Sequence, residues 1–300
     1  MEATVKKPKK LKLKTARRDQ YKRYTRSKAG NFFYTLFLLI MGLYSILPMF
    51  YTIITSFKPL DELLVFPPRF FVIRPTTSNY SVLPSLLDNL SVPLSKYIFN
   101  SLFVSIVTTI LHVIVASMAA FVLSKTNIKF KGLIFAIVQF SLLYNAYTLE
   151  VPRYLIYSGL HMIDTYWIYI LPNIPASMGV FLMKQFMDAN VPDPLIEAAR
   201  IDGASTVRTF WQIVMPVVKP AWLTLSLFEF VGMWTVTPTG TIFSENLKTL
   251  PYAASTIVAG GLTRQGAAMA VAVIMMIPPI IVYLVSQRSV TQTMSSSGIK

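Results

Sequence analysis

The segment from Glu197 to Pro216, EAARIDGASTVRTFWQIVMP, sets polar and small residues between long apolar stretches. Its ionisable side chains do not form a pattern typical of substrate chemistry. Ala198, Ala199 and Ala204 are small enough to let the groove of another molecule approach the backbone closely. This docking segment therefore indicates contact with a soluble partner, although an ordinary hairpin with small residues by chance fits the same spacing.

The first of two short helices is expected to begin at Asp193-Pro194, where aspartate can cap the helix and proline fits its first turn. Glu197 lies in that turn, where the helix dipole favours a carboxylate. The helix should run to about Ile201 and stop at Asp202-Gly203, because glycine is the usual C-terminal stop.

The second helix should be capped by Ser205 and extend from Thr206 to about Met215, where it meets Pro216. It carries an apolar stripe at spacings i, i+3, i+4 and i+7, predicted to pack against the rest of the molecule. The stripe consists of Val207, Phe210, Trp211 and Val214.

Catalytic chemistry is poorly represented elsewhere. The absence of cysteine excludes disulfides, thiolate catalysis and cysteine-ligated metals. His112 and His161 are far apart in sequence, and no metal site is predicted. No P-loop and no H-E-x-x-H motif occurs, and Asp202-Gly203 lacks the paired aspartates of lipid phosphotransferase motifs. The sequence thus argues against an enzyme.

The composition indicates an integral membrane protein. The chain is 54% hydrophobic and 14% charged, with mean hydropathy +0.54, whereas soluble domains contain about 25% charged residues. Six apolar stretches approach the length of about 20 residues that a membrane-spanning helix needs. They lie at about 32–57, 97–123, 132–149, 165–187, 217–237 and 267–286, and prolines in the fourth and sixth predict kinks. The predicted fold class is an all-α membrane protein with six transmembrane helices.

Basic residues predict the orientation of these spans. Residues 1–30 contain 12 Lys and Arg against Glu2 and Asp19, which places this tail in the cytoplasm beside anionic lipid headgroups rather than on nucleic acid. Both termini and the loop 188–220 then lie in the cytoplasm, and cytoplasmic segments hold 21 Lys and Arg against 7 outside. The first apolar stretch is too long for a cleaved signal peptide.

The predicted outer loop 58–96 is rich in proline and shows no clear helical period until its end. A loop of this length is typical of a binding surface or of disorder, so we expect contact with an extracytoplasmic protein, with a tether on the membrane as the alternative. The predicted organisation is a basic tail (1–30), the first span with this loop (31–96), a core of five spans with the loop 188–220 (97–290), and a cytoplasmic C-terminal tail (291–300).

The docking segment is similar to the EAA motif of ATP-binding cassette (ABC) importer permeases. In that motif Glu-Ala-Ala is followed after three residues by glycine, and after nine more by Ile-x-Leu-Pro. The matching residues are Glu197, Ala198, Ala199, Gly203, Ile213 and Pro216, with Met215 in place of leucine. The longer pattern EAARIDGAS…FWQIVMPVVKPA resembles the carbohydrate-uptake branch, related to maltose and oligosaccharide importers. The resemblance extends from about residue 31 to the carboxyl end, with a departure at Trp234-Thr235, where many sugar permeases have Trp-Asn.

This resemblance implies a type I ABC importer permease fold in a bacterial cytoplasmic (inner) membrane. The first short helix would sit in a cleft on a partner ATPase dimer, and Arg200, Asp202 and Ala204 at its end would take part in the coupling. The partner would bind ATP and Mg, because this chain has no P-loop and no cofactor of its own. ATP binding would switch the bundle from inward-facing to outward-facing, and hydrolysis would reset it. Further implied partners are a second permease, expected to be a distinct homologue, and an extracytoplasmic solute-binding protein.

Within that family, polar and aromatic residues at the ends of spans are candidates for a substrate path. They are Tyr144, Asn145, Tyr147, Glu150, Asn173, Glu229 and Trp234. Sugar rings stack on aromatic faces while hydroxyls take hydrogen bonds, but the tyrosines also fit an interfacial aromatic belt. Glu229 fits a structural or gating role as well as substrate contact, since an ionisable residue at membrane depth costs about 2.5–3.5 kcal/mol on insertion scales.

Two alternatives remain open. A passive channel or ion-coupled carrier would continue to transport without an ATPase. Within the importer class, an amino acid, peptide or phosphonate-type solute is the alternative to a carbohydrate.

Overall fold

The computed structural model describes residues 28–88, 92–144, 146–237 and 240–297, with side chains except at 28, 87, 88, 146, 147 and 288–297. These residues are mainly helical and contain no β-strand, which confirms the all-α prediction for the part described. The chain divides into two compact units, Met1–Phe50 and Tyr51–Lys300. The predicted basic tail (1–30) falls largely outside the described residues, whereas residues 291–297 of the predicted C-terminal tail form the end of the last helix.

The described part of the first unit belongs to helix α1, Lys28–Ser56, which continues into the second unit. Its stretch Ala29–Ser56 has 28 residues and a mean hydropathy of 2.0, which exceeds the length of about 20 residues needed to cross a bilayer. This helix matches the first predicted span.

The described part of the second unit is built from short helices around three longer ones. The short helices are α2 Leu60–Leu63, α3 Ser78–Ser81, α4 Leu83–Asp88, α6 Lys131–Ser141, α7 Glu150–Gly159, α8 Trp167–Ile170, α9 Ser177–Asn190, α10 Asp193–Ile201, α11 Thr206–Thr209, α12 Met215–Val217 and α14 Leu250–Val258. The longer ones are α5 Leu94–Lys125, α13 Lys219–Trp234 and α15 Gln265–Ser297. Tight 3₁₀ turns lie at Ala146–Leu149, Leu171–Asn173, Glu245–Leu247 and Leu262–Arg264.

Three helical stretches in the described residues are long and apolar enough to cross a membrane, and a bent pair could add a fourth. Beside α1, these are Leu94–Lys125 and Leu262–Gln287, with mean hydropathies of 2.4 and 2.5, which match the second and sixth predicted spans. The fifth predicted span corresponds to one half of the pair Thr206–Val217 and Lys219–Trp234, whose halves meet at 82°.

The third and fourth predicted spans are not single long helices. The third is represented by α6, which has 11 residues. The fourth is divided into α8, a 3₁₀ turn and α9, because Pro172 and Pro175 lack a backbone N–H and disfavour helical conformation in the residue before them. The 14 residues of α9 extend about 21 Å, short of a hydrocarbon core of about 30 Å.

Helix α5 lies at the centre of the second unit. It packs on α9, α13 and α14, while α13 also packs on α15 and α6 packs on α9. The buried face of α5 is unusually polar and small for an apolar helix. It includes Asn100, Ser101, Ser105, Thr108, Thr109, His112, Ala116, Ser117 and Ala120. Small side chains of this kind let membrane helices approach closely.

The first turns of α5 hold the loop 240–249, which connects α13 to α14. The Asn100 amide donates hydrogen bonds to the backbone carbonyls of Asn246 and Lys248, each at 2.8 Å. Its own carbonyl accepts one from the Tyr166 hydroxyl at 2.7 Å. Asn100 is fully buried, so it joins α5, this loop and the segment before α8.

Asp164 holds the same loop from the other side. Its Oδ1 accepts the backbone N–H groups of Phe243 and Ser244 at 3.0 and 2.8 Å, and its Oδ2 accepts the Ser244 hydroxyl. These hydrogen bonds, with that from the Ser244 hydroxyl the most important, lower the pKa of Asp164 below its ordinary value.

The opposite end of α5 holds the loop 188–220. The ammonium of Lys125 lies 2.8 Å from Oδ1 of Asp193, and the hydroxyl of Ser124 bonds the carboxylate of Asp188. Loops predicted on one side of the membrane therefore meet at one end of α5, and loops predicted on the other side meet at the other end.

The predicted outer loop has more regular structure than its sequence indicated, with α2, α3 and α4 inside it. The carboxylate of Glu62 accepts the backbone N–H groups of Ile73 and Arg74 at 3.0 and 2.8 Å. The Asn79 amide donates to the carbonyls of Ser56 and Lys58, both at 2.8 Å. These contacts close the segment 56–79 on itself.

Replacement of Asn100 by alanine should lower the free energy of unfolding by about 2–3 kcal/mol, because two backbone carbonyls and a tyrosine hydroxyl lose their buried partner. Thermal unfolding of the purified protein in detergent measures this loss. Asn127→Ala, at an exposed loop position, is the matched control, and equal melting temperatures for the two variants would contradict the role of Asn100.

Replacement of Asp164 by asparagine should remove a pH-dependent stabilisation. A carboxyl with a lowered pKa in the folded state stabilises the fold above its ordinary pKa of about 3.9, and this contribution is lost as pH falls through the folded-state value. The melting temperature of the wild type should exceed that of Asp164→Asn at neutral pH, and the difference should shrink on acidification below about pH 4. A difference independent of pH would exclude the ionised carboxylate as its cause.

Candidate functional site

The first helix of the docking segment forms as predicted. Helix α10, Asp193–Ile201, has Pro194 in its first turn. It ends in a Schellman motif: Gly203 N–H donates to Arg200 O at 3.0 Å, and Ala204 N–H donates to Ala199 O at 2.9 Å. Gly203 has φ +77°, the left-handed conformation for which glycine is preferred.

One detail of this helix was predicted incorrectly. Asp193 was expected to cap α10, but the cap position is Pro192, which provides no side-chain cap. The carboxylate of Asp193 instead accepts a hydrogen bond from the Lys125 ammonium at 2.8 Å. A tertiary contact with α5 thus replaces the local cap.

The second helix is present but is divided by a π-helical turn. Ser205 caps it as predicted, accepting the Arg208 N–H at 3.3 Å, and the π turn Phe210–Val214 separates α11 from α12. The predicted apolar stripe is half wrong: Phe210 and Val214 are buried, whereas Val207 and Trp211 are 67% and 47% exposed. The i→i+5 bonding of the π turn takes more residues per turn, which rotates the buried face away from a regular spacing.

The two faces of α10 differ in exposure. Ile196 and Ala199 are buried against the bundle, and the small side chain of Ala199 lets the helix lie close to it. The other predicted docking residues of the segment are exposed or half-buried. Exposed are Glu197, Ala198, Arg200, Asp202, Gly203 and Pro216, and half-buried are Ala204 and Ile213. Ile201 is also exposed, at 86%, so the free face of α10 offers charged, small and apolar groups together.

The helices that flank this loop both contact α5 at membrane depth. Glu229 on α13, one of the predicted path residues, is partly buried, and its Oε2 lies 3.9 Å from Nε2 of His112. His112 was noted in the sequence only as an isolated histidine. A histidine in the middle of an apolar span was the available signal, since such residues face protein rather than lipid.

The remaining path candidates are not gathered into one site by the described contacts. Asn173 lies in the turn before α9 and donates to the carbonyl of Tyr169 at 2.8 Å. Tyr144 is 56% exposed, with its ring edge-on to Phe140 at 5.5 Å. Glu150 is exposed in the first turn of α7.

Trp234 is packed between helices. It is 1% exposed, stacks on Phe230 with ring centres 6.1 Å apart, and donates its indole N–H to the carbonyl of Met275 at 2.9 Å. This placement favours a packing role for Trp234. Asn145 lies outside the described residues, as does the side chain of Tyr147.

Comparison with known protein families shows to which family the chain belongs. The model of the family described as "Binding-protein-dependent transport system inner membrane component" matches residues 23–296. The chain belongs to this family. The resemblance to ABC importer permeases, based on the EAA-like residues, is thereby confirmed.

Several relatives of this binding-protein-dependent permease are known, and the names of two of those below state a transport role. It is 27% identical over 268 residues to the arabinooligosaccharides transport system permease protein AraQ of Bacillus subtilis (strain 168), covering 89% of this chain and 94% of the relative. It is 33% identical over 217 residues to protein LplC of the same organism, covering 69% of each. It is 27% identical to the sulfoquinovosyl glycerol transport system permease protein SmoH of Agrobacterium fabrum, covering 88% of this chain and 90% of the relative.

A solved structure shares the fold of this permease. It is a chain of a bacterial ABC transporter involved in the import of the acidic polysaccharide alginate. The TM-score is 0.74 at 21% sequence identity, over 88% of this chain and 98% of that chain.

Replacement of Gly203 by alanine should loosen the end of α10. A side chain meets nothing within 4 Å there, so the effect comes from the left-handed backbone alone, at about 1–2 kcal/mol. Hydrogen exchange of the segment 193–217 should become faster. Gly132→Ala in α6, also in open space but without a positive φ, should leave exchange unchanged, and an unchanged rate in Gly203→Ala would contradict the strain.

Proposed function

We propose that this chain is the transmembrane permease subunit of an ATP-driven ABC importer that takes up a carbohydrate, most simply an oligosaccharide. The family match supports the transport role. The names of two relatives, permeases of transport systems for arabinooligosaccharides and for sulfoquinovosyl glycerol, support a carbohydrate. The single observation that carries the proposal is the exposed face of α10, where Glu197, Ala198 and Arg200 lie at the surface while Ile196 and the motif residue Ala199 anchor the helix.

The proposed function requires three kinds of partner protein. A separate ABC ATPase dimer receives α10 and binds ATP and Mg. A second permease, a distinct homologue, completes the pathway, and an extracytoplasmic solute-binding protein delivers the substrate. The loop 58–96 is a candidate contact for that protein, with the membrane surface as the alternative.

The proposed topology has six membrane crossings with both termini in the cytoplasm of a bacterial cell. Helices α1, α5, α13 and α15 supply four crossings. The other two are composite, one containing α6 with the residues that follow it and the other containing α8 and α9. The grouping of loops at the two ends of α5 supports this arrangement, because Asp164 and Asn100 meet the loop 240–249 at one end and Lys125 meets Asp193 at the other.

The mechanism is alternating access. Closure of the ATPase dimer moves α10, and the movement passes along α9 and α13, which flank the loop 188–220 and both pack on α5. The candidate path residues along this route are Glu229 and Asn173, which are half-buried, whereas Tyr144 and Glu150 lie at exposed positions.

Replacement of Ala198 by glutamate tests the docking. The added side chain projects from the exposed face of α10 and should weaken ATPase association and ATP-driven uptake at least about tenfold, as expected when a closely packed interface position is blocked. Co-purification of the ATPase and uptake into proteoliposomes measure both effects.

Ala259→Glu is the matched control, since Ala259 is also an exposed alanine but lies at the other end of the bundle, after α14. It should bind the ATPase and transport normally. Normal assembly and transport by Ala198→Glu would refute docking through α10, and uptake without any ATPase would favour a passive channel or carrier.

A further inference from the structure

A single imidazole in the middle of α5 contacts both helices that flank the docking segment. His112 is 1% exposed. Its Nδ1 lies 2.9 Å from the carbonyl oxygen of Ile174, just before α9, and because a carbonyl can only accept, Nδ1 must be the donor. Its other nitrogen, Nε2, faces Oε2 of Glu229 on α13 at 3.9 Å.

Helix α9 is shaped to receive this ring. A Cβ placed on Gly179 would lie 2.2 Å from Nε2 and 2.6 Å from Cε1 of His112. Both distances are far below van der Waals contact, so the imidazole fills space that exists only because residue 179 is glycine. The ring therefore contacts α9 at Gly179 and the segment just before α9 at Ile174.

The two contacts lie at matching distances from the docking segment. Gly179 precedes the end of α9 at Asn190 by 11 residues, about 16 Å of helix. Glu229 follows the start of α13 at Lys219 by 10 residues, about 15 Å. The ring thus contacts α9, which precedes the docking segment, and α13, which follows it, at about the same distance along each helix from that segment.

We propose that His112 is a positioning residue that ties α9 and α13 to α5, so that both helices respond together when the docking segment moves. Without the ring, α9 and α13 would keep their packing on α5 and on each other but lose this polar contact, and more of the displacement of α10 would be absorbed near the loop. On α13 the partner of the ring is Glu229, which takes part in positioning through its contact with His112. The inference rests on the proposed function for its mechanical meaning, whereas the contact itself is testable without it.

The contact is tested by a double-mutant cycle on thermal unfolding of the purified protein in detergent. Gly179→Ala should lower the melting temperature in the wild type, because the added methyl group strikes the imidazole. In a His112→Ala background the same change should cost much less, because the ring is gone and only the Ala116 methyl group, 3.1 Å away, stays close. Gly232→Ala in α13 is the control, since a Cβ there meets nothing within 4 Å, and it should not lower the melting temperature. Additive losses for Gly179→Ala and His112→Ala would overturn the tie.

The role in transport is tested in proteoliposomes that contain the complete complex, by the amount of solute imported per ATP hydrolysed. His112→Ala should lower this ratio about tenfold, within the usual range of coupling between sites, while ATP hydrolysis continues. His112→Asn retains a donor near the position of Nδ1, and His112→Gln retains a polar group near Nε2, so each should restore part of the ratio. A fall in uptake and hydrolysis together, with the ratio unchanged, would show general damage and overturn the proposal.

The two experiments separate the possible failures. If the wild-type complex shows no ATP-driven uptake, the proposed function fails, and the unfolding cycle still decides whether the His112 ring packs against Gly179 of α9. If uptake is ATP-driven but the amount of solute imported per ATP hydrolysed does not depend on His112, the proposed importer function is retained and the positioning role of His112 is refuted.

Discussion

The close packing of one helix, α5, is the constraint on which the described architecture depends. Lipid gives helices in a bilayer no hydrophobic drive to associate, so shape and hydrogen bonding must hold them. Asn100, His112 and Lys125 mark three levels along α5, over about 37 Å of helix. The first bonds the loop 240–249, the second meets α9 and α13, and the third meets α10. A single element thus sets the relative positions of both ends of the second unit.

The polar contacts of α5 are unevenly distributed. Its two ends are fixed by hydrogen bonds to loops, through Asn100 and Lys125. Between them, the buried hydroxyls of Ser105, Thr108, Thr109 and Ser117 have no hydrogen-bond partner within the described residues. His112 lies among these hydroxyls and does make a directed contact, the hydrogen bond to the carbonyl of Ile174.

Local sequence signals were sufficient for much of the fold and of the docking segment. The capping serine at 205 and the glycine stop at 203 act over a few residues, and both are found where expected. The long apolar runs of α1, α5 and α15 were equally readable. These features depend on neighbours along the chain, which is why composition and spacing predict them.

The features that sequence reasoning missed depend on contacts between distant residues. Asp193 pairs with Lys125 instead of capping its own helix, and Trp234 packs under α15 through Met275. The π turn at Phe210–Val214 shifts a stripe that regular spacing placed elsewhere. Gly179 carries no local signal, since its value lies in the imidazole that fills the space beside it.

The bend of 82° between α11–α12 and α13 has a mechanical consequence. If α13 crosses the bilayer steeply, the preceding half must run nearly parallel to the membrane surface, in the manner of an interfacial helix. A push on that half then acts as a torque about Val218 and tilts α13, whereas the same push on a straight helix would only translate it. In that orientation, the corner of 82° would convert a force applied in the water phase into a rotation inside the lipid.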